Sequence, residues 1–286
     1  MNVFSEIEPC RNAVREAQKR GGLVGLVPTM GALHEGHLSL VRAARTRCTT
    51  VAVTIFVNPS QFGPDEDLDA YPRTSQVDLP TCESEGVDIV FTPSVATMYP
   101  PGTATTVHVG GLTEVLCGRW RPGHFAGVTT VVAKLFNILP ADIAFFGEKD
   151  YQQFIVVRQL ARDLDMPIEV VACPTVREDD GLALSSRNAY LSAQERKQAA
   201  SLNRALFTAA RRAASGGRSA SKLTDGIRAE ILSAGQAEIE YVDVVDENTL
   251  KIMTTIDRPA RICLAVRIGS CRLIDNVHVD VPTGGD

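Results

Sequence analysis

The chain has 286 residues, 44 % of them hydrophobic and 22 % charged, which suits one large or two ordinary globular domains and excludes disordered, collagenous and coiled-coil classes. Its net charge of −5 argues against duplex nucleic acid as a partner, so an anionic ligand must be held by a local cluster. No apolar run is long enough for a membrane span; the most apolar stretch, 128–146, is broken by Lys134, Asn137, Pro140 and Asp142.

Residues 1–16 mix Glu6, Glu8, Arg11, Arg15 and Glu16 with apolar residues and do not read as a secretory signal. A short apolar run at 23–28 predicts a buried parallel strand, followed by a turn at Thr29–Ala32 and a helix over 36–47. The β-branched run 51–57 predicts a second buried strand, stopped by Asn58 and Pro59. A helix over 75–85 and a strand over 88–91 come next. Val128, Val131, Val132 and Leu135 fall at i, i+3, i+4 and i+7 and predict a core-facing helix. A strand at 143–146, a helix with Phe154, Val157, Ala161 and Leu164 on its apolar face, and a strand at 168–172 continue the alternation. Such alternation argues an α/β domain over 1–175, built on a doubly wound parallel sheet. Beyond it the pattern changes. Ser192 and Glu195 form a capping box before a long helix bearing Leu202, Ala205, Leu206 and Ala209. A linker at 215–219 leads to a helix with Leu223, Ile227 and Ile231, and strands follow at 238–245 and 261–268. A smaller α+β domain over 176–286 is expected. Seven cysteines at irregular spacing, with no C-x-x-C, read as buried free thiols in a reducing cytoplasm.

Four segments carry chemistry. The first, Met30, Gly31, Ala32, Leu33, His34, Glu35, Gly36 and His37, directly follows the first predicted strand. Two histidines three apart at a helix start share one face, where backbone N–H groups already favour phosphate, and their imidazoles can donate to phosphoryl oxygens. Gly36 would leave room for a flat base, and a metal role is weaker because zincins space their histidines at i+4. The second is Gly147, Glu148, Lys149 and Asp150, at the end of the strand 143–146, with Lys149 able to reach a phosphate. The third is Leu184, Ser185, Ser186, Arg187 and Asn188, two hydroxyls and a guanidinium able to wrap a polyphosphate. The polar run 178–181 before it reads as a flexible closing loop. The fourth is the stretch 58–63, whose Gln61 offers donor and acceptor to a hydroxy acid. Gln152 and Gln153 start a helix beside Lys149, and Arg119, Arg121 and His124 lie in a basic segment read as mobile. Alone, the histidine pair matches two satisfied histidines at a helix start about as well, and the other segments match a solvated charge run or an ordinary polar loop better; their joint fall at strand ends and helix starts favours a site.

GALHEGH (31–37), FVNPSQFG (56–63), YPRT (71–74), RPGHF (121–125), FFGEKDYQQ (145–153) and GLALSSRN (181–188) resemble, in order, the signature segments of the pantothenate synthetase, or pantoate–β-alanine ligase, family of HIGH-type nucleotidyltransferases. The resemblance implies a cytoplasmic homodimer with a Rossmann-like domain and a smaller C-terminal lid domain. It implies ATP-dependent condensation of (R)-pantoate with β-alanine through pantoyl adenylate, releasing pyrophosphate and AMP. By motif, Met30 to His37 would hold ATP, with His37 the family's assigned proton donor and His34 sharing phosphate stabilisation. An electrostatic donor role is preferred for both, because pyrophosphate is a good leaving group. Lys149, Ser185, Ser186 and Arg187 would bind phosphates, with Glu148 and Leu184 beside them in the ATP site. Gly147 and Asp150 would border the ribose, Val176 the adenine, and Gln61 and Gln153 would hold pantoate. Asp78 would lie near Mg²⁺. A shorter adenylyltransferase of the same superfamily, a tRNA-charging enzyme and a non-catalytic nucleotide sensor are the rivals. The first lacks the FVNPSQFG and FFGEKDYQQ pair, the second needs a basic surface, and the third would bind ATP without forming AMP.

Overall fold

A computed structural model describes residues 1–64 and 66–280. In chain order the elements are β1 (Asn2–Phe4), α1 (Ile7–Lys19), β2 (Val24–Thr29), α2 (Glu35–Arg47), β3 (Thr50–Ile55), α3 (Ser75–Ser84), β4 (Ile89–Phe91), α4 (Val95–Met98), α5 (Cys117–Trp120), α6 (His124–Ile138), β5 (Ile143–Gly147), α7 (Tyr151–Asp163), β6 (Glu169–Cys173), α8 (Ala193–Ala214), α9 (Ala220–Ser233), β7 (Glu238–Asp246), β8 (Ala260–Ile268) and β9 (Cys271–Val279). Short 3-10 turns occupy Pro59–Gln61, Glu148–Asp150 and Ser186–Tyr190. No described helix is long and apolar enough to cross a membrane.

The chain divides into two compact units. The first comprises Met1–Thr113, Arg121–Glu148 and Gln153–Pro174; the second comprises Glu114–Trp120, Lys149–Gln152 and Thr175–Asp286. In the first, six strands form a parallel sheet in the order β1-β4-β3-β2-β5-β6. The central strands are nearly continuous apolar runs because both faces of a parallel sheet are covered. Val27, Val51, Val53, Val90, Ile143 and Phe145 pack with Leu40, Val41 and Ala44 of α2 in one core. Strand order reverses at β2 and β5, which pair through Gly25 with Ile143 and Leu26 with Ala144. The crevice at the carboxyl ends of such neighbours is where open α/β sheets bind ligands. Both motif loops, after Thr29 and after Phe146, leave the sheet there.

The second unit packs α8 and α9 on an antiparallel sheet in the order β7-β8-β9. Leu202, Leu206, Ile227, Ile231, Val244, Ile262, Leu264 and Leu273 are its centre. The capping box forms: Glu195 N–H donates to Ser192 Oγ at 3.3 Å, and Ser192 N–H donates to Glu195 Oε2 at 2.8 Å.

Five elements were not anticipated, two of them the single helical turns α4 and α5. In α1 the buried stripe is only Cys10, Val14 and Ala17, a faint periodic signal in a charged segment. The strand β1 is three residues long and exists only through its pairing with β4. In β9, the polar Asp275 and Asn276 are buried and break the apolar pattern that marks a strand.

Candidate active site

The loop after β2 is built around one carboxylate. Gly31 and Ala32 both have positive φ, +82° and +50°. The turn aims successive amides inward, and Asp78, only 1 % exposed, fills it from α3. Its Oδ2 accepts from Ala32 N–H at 3.1 Å and from the Thr74 hydroxyl at 3.0 Å, and its Oδ1 accepts from Leu33 N–H at 2.9 Å. Thr29 ties the base of the loop to β3, donating to the Thr54 carbonyl at 2.6 Å and accepting from Gly31 N–H at 3.2 Å.

His34 is not in the first turn of α2 but caps it. Its Nδ1 accepts from Gly36 N–H at 3.1 Å, and His37 Nδ1 accepts from His34 N–H at 3.3 Å. The rings lie tilted at 39° to each other with centroids 4.1 Å apart. A backbone N–H can only donate, so neither Nδ1 carries a proton and the neutral tautomer of both rings places it on Nε2. The capping box therefore fixes two neighbouring Nε2–H donors at a helix amino end. Glu35, expected at ATP, is exposed and its carboxylate pairs with Arg42.

Gln61 sits in the turn Pro59–Gln61 and meets the same loop. Its Nε2 donates to Met30 Sδ at 3.2 Å and its Oε1 accepts from Asn58 Nδ2 at 3.0 Å. Asn58 is buried; its Oδ1 accepts from the Ser60 and Tyr99 hydroxyls, both at 2.8 Å, and its amide also donates to the Gly127 carbonyl at 3.2 Å. Burial pushes the Tyr99 phenol up, so it stays a donor. Helix α6 comes so close here that a Cβ on Gly127 would lie 2.2 Å from the Ser60 oxygen. Arg121 and His124, expected in a mobile segment, both grip the Gln61 carbonyl, and Arg121 pairs with Glu66 at 2.6 Å. Sequence reading singled out the stretch 58–63 but not the role of Asn58 within it, and it missed Glu66, Tyr99 and Gly127, of which only Glu66 lies near that stretch in the chain. Gln153 is half-buried with no hydrogen-bond partner among the described residues, whereas Gln152 is structural, bridging Cys117 N–H and the Val115 carbonyl. Gly147, at the carboxyl end of β5, has open space where a Cβ would stand, and Glu148 follows it.

In the second unit, Lys149 is held by its backbone: its carbonyl accepts from Asn276 Nδ2 at 3.0 Å, and its Nζ stands 3.9 Å from Asp150. Arg261, stacked 3.6 Å over the Tyr151 ring, donates to Asn276 Oδ1 at 2.7 Å and fixes that amide. Val176 and Leu184 meet through Leu184 N–H to the Val176 carbonyl at 3.0 Å, closing a hairpin. The run 178–181, expected to be flexible, is this hairpin's braced turn. Arg196 grips Glu178 and Asp180 at 2.7 Å each, and Arg177 pairs with the buried Asp275 at 2.7 Å. These guanidinium hydrogen bonds outweigh desolvation and hold both the Glu178 and Asp180 carboxyls below their ordinary values. Ser185 caps the turn Ser186–Tyr190 by accepting from Arg187 N–H at 3.4 Å, and Asn188 binds Glu178 at 2.6 Å and the Ala183 carbonyl at 3.1 Å. Lys149, Val176 and Ser185 to Arg187 thus share one rigidly braced unit.

The chain matches the family model for pantoate-beta-alanine ligase over residues 2–278. The chain belongs to the pantoate–β-alanine ligase family. It is 52 % identical to the pantothenate synthetase of Moorella thermoacetica over 98 % of this chain and 99 % of that one, and 52 % identical to that of Koribacter versatilis over 97 % and 95 %. The pantothenate synthetase structure from Thermus thermophilus superposes with a TM-score of 0.92 at 45 % identity, covering 97 % of this chain and 99 % of that one. A Francisella tularensis pantoate–β-alanine ligase, solved with a βγ-ATP ligand and β-alanine, does so at 0.81 and 35 % identity, with 97 % of each covered. Asp78 does not fit as a magnesium ligand, because its carboxylate is spent on two amides and a hydroxyl. Among the described residues no cluster of three or more His, Cys, Asp or Glu could hold a metal.

Proposed function

We infer that this chain condenses (R)-pantoate with β-alanine using ATP. A pantoate carboxylate oxygen attacks the α-phosphorus, the bond to the pyrophosphate oxygen breaks, and pyrophosphate leaves. The β-alanine amine then attacks the acyl carbon of pantoyl adenylate, losing a proton, and the C–O bond to AMP breaks. Carboxylate attack on phosphorus calls for positioning and charge stabilisation rather than a protein nucleophile. The observation that carries the reading is the pair of backbone N–H bonds to the Nδ1 atoms of His34 and His37, which leaves Nε2 of each ring to donate to phosphoryl oxygens as negative charge grows there.

Met30 to His37 would cradle ATP, mostly through backbone, since Glu35 is engaged with Arg42. Lys149, Ser185, Ser186 and Arg187 would bind phosphates, with Glu148 and Leu184 at the nucleotide. Gly147 and Asp150 would border the ribose, and Val176 the adenine. Gln153, lacking a protein partner among the described residues, and Gln61 would hold pantoate. Mg²⁺ would come with the ATP phosphates and water, and Asp78 would serve the loop. The domains expected over 1–175 and 176–286, the latter joined in the structure by 114–120 and 149–152, would act as nucleotide domain and lid. A homodimer in the cytoplasm is the assembly we propose. Seven buried cysteine thiols support a reducing compartment, and burial pushes Cys10 and Cys263 up to about 12, which removes them as nucleophiles.

AMP release from Mg-ATP, with pantoate and β-alanine each omitted in turn, tests the reaction. AMP only with both substrates is expected. ATP binding without AMP would overturn the reading in favour of a nucleotide sensor.

A further inference from the structure

The turn between α8 and α9 borders a cavity of about 700 Å³ that the ligase chemistry does not use. Its rim is firmly built. Helix α8 ends with Gly216 at φ +97°, Gly217 N–H donating to the Arg212 carbonyl at 2.9 Å and Gly216 N–H to the Ala213 carbonyl at 3.0 Å. That paired closure satisfies the last turn. The chain then pairs with 254–256, through Ile256 N–H to the Arg218 carbonyl at 2.8 Å and Ala220 N–H to the Thr254 carbonyl at 3.0 Å.

Four cations line the cavity, Arg211, Arg212, Arg218 and Lys222, and no acidic residue does. Among the described residues none of the four forms an ion pair, in a chain whose net charge is −5. Arg211 and Arg212 lie in the last turn of α8, where cations offset the helix dipole, so their presence is accounted for locally. That account does not extend to Arg218 and Lys222. They flank Ser219, the cap of α9, at the positive end of a helix whose first turn carries no acidic residue. Cations there raise the energy of the fold. An anion in the cavity would offset the repulsion at the amino end of α9 and join all four charges, and the volume is that of a small-molecule site.

We propose that the cavity between α8 and α9, lined by Arg211, Arg212, Arg218 and Lys222, binds a small anion bearing several phosphate charges. Phosphate oxygens match guanidinium forks and the Ser219 hydroxyl, whereas a monovalent carboxylate would neutralise one cation of four. The site stands apart from the reaction assigned above and does not depend on it.

The test follows the Gly216 and Gly217 amide signals of the full chain in two-dimensional ¹H–¹⁵N spectra. Inorganic pyrophosphate and a phosphomonoester, AMP, are titrated separately, with sulfate at equal ionic strength as control. Because the readout sits on the turn, pyrophosphate at a catalytic centre does not confuse it. Saturable shifts with pyrophosphate, weakening several-fold between about 0.05 and 0.5 M NaCl, are expected. Tighter binding of AMP would assign the phosphate to a metabolite rather than the free ion. The Arg212→Gln, Lys222→Gln double variant should weaken the response at least about tenfold while AMP release keeps its wild-type rate. Absent shifts, equal shifts with sulfate, or an unaltered response in the double variant would overturn the proposal.

Discussion

His34 caps α2 and, in the proposed reaction, would also donate to phosphate, two roles that one substitution can separate. Its Nδ1 caps α2, and its Nε2 carries the proton as a donor. Asparagine is itself a strong cap but has no donor at the Nε2 position. His34→Asn should therefore keep the stability of α2 and lose turnover, whereas His34→Ala should lose turnover and about 1 kcal/mol besides. Urea unfolding beside single-turnover AMP formation distinguishes them. His37→Ala should lower turnover by about 10²-fold with ATP affinity largely retained, as expected of a donor acting in the transition state. Parallel losses of both would contradict that role. Asp78→Asn tests the other half of the loop. An amide cannot accept at both ends, so stability should fall by about 2 kcal/mol and turnover with it. A raised Mg²⁺ requirement at unchanged stability would give Asp78 back to the metal. The sequence displayed the two histidines plainly. It could not show that Asp78, 45 residues beyond Leu33, is the counter-charge that shapes their loop.

The elements show the same division between what is local and what is not. Helices with a wide apolar stripe, such as α6, and buried strands such as β2 and β3 were legible because their period is written in neighbouring residues. The second unit's hairpin at Val176 to Leu184 was not. Its acidic, glycine-containing run has a loop's composition, and only Arg196, more than ten residues on, turns it into a braced corner. The turn Pro59–Gln61 likewise depends on α6 offering a glycine. Gly127→Ala would drive a methyl group into the Ser60 carbonyl, so the turn or the helix must retreat. A loss of about 1–3 kcal/mol and a raised pantoate KM are expected, with ATP KM little changed. Unfolding curves and steady-state kinetics on the variant measure both, and an unchanged pantoate KM would detach Gln61 from that substrate.

At the scale of the whole molecule, acid should release one identifiable clamp in the second unit. Burial opposes ionisation of Asp246, but hydrogen bonds from Arg258, Thr249 and Asn248 outweigh it and bring the carboxyl down from 3.8 to about 2. A depressed folded-state value stabilises the fold above the ordinary carboxylate range, and that stability is lost as pH falls from about 4 towards 2. The wild type should exceed Asp246→Asn by about 2 kcal/mol near pH 6, and the gap should close across that window. A gap that persists at pH 2 would refute the assignment. The interleaved make-up of the two units has a consequence for biosynthesis. Glu114–Trp120 and Lys149–Gln152 leave the ribosome inside the first unit's sequence but belong with partners from Thr175 onward. Tyr151 waits for Glu247 and Arg261, and the Lys149 carbonyl for Asn276. At ~5–20 residues per second, that wait is on the order of ten seconds. During it the nascent first unit carries two unfinished segments, so the Lys149 turn gains its final shape only when the last strand, β9, is complete.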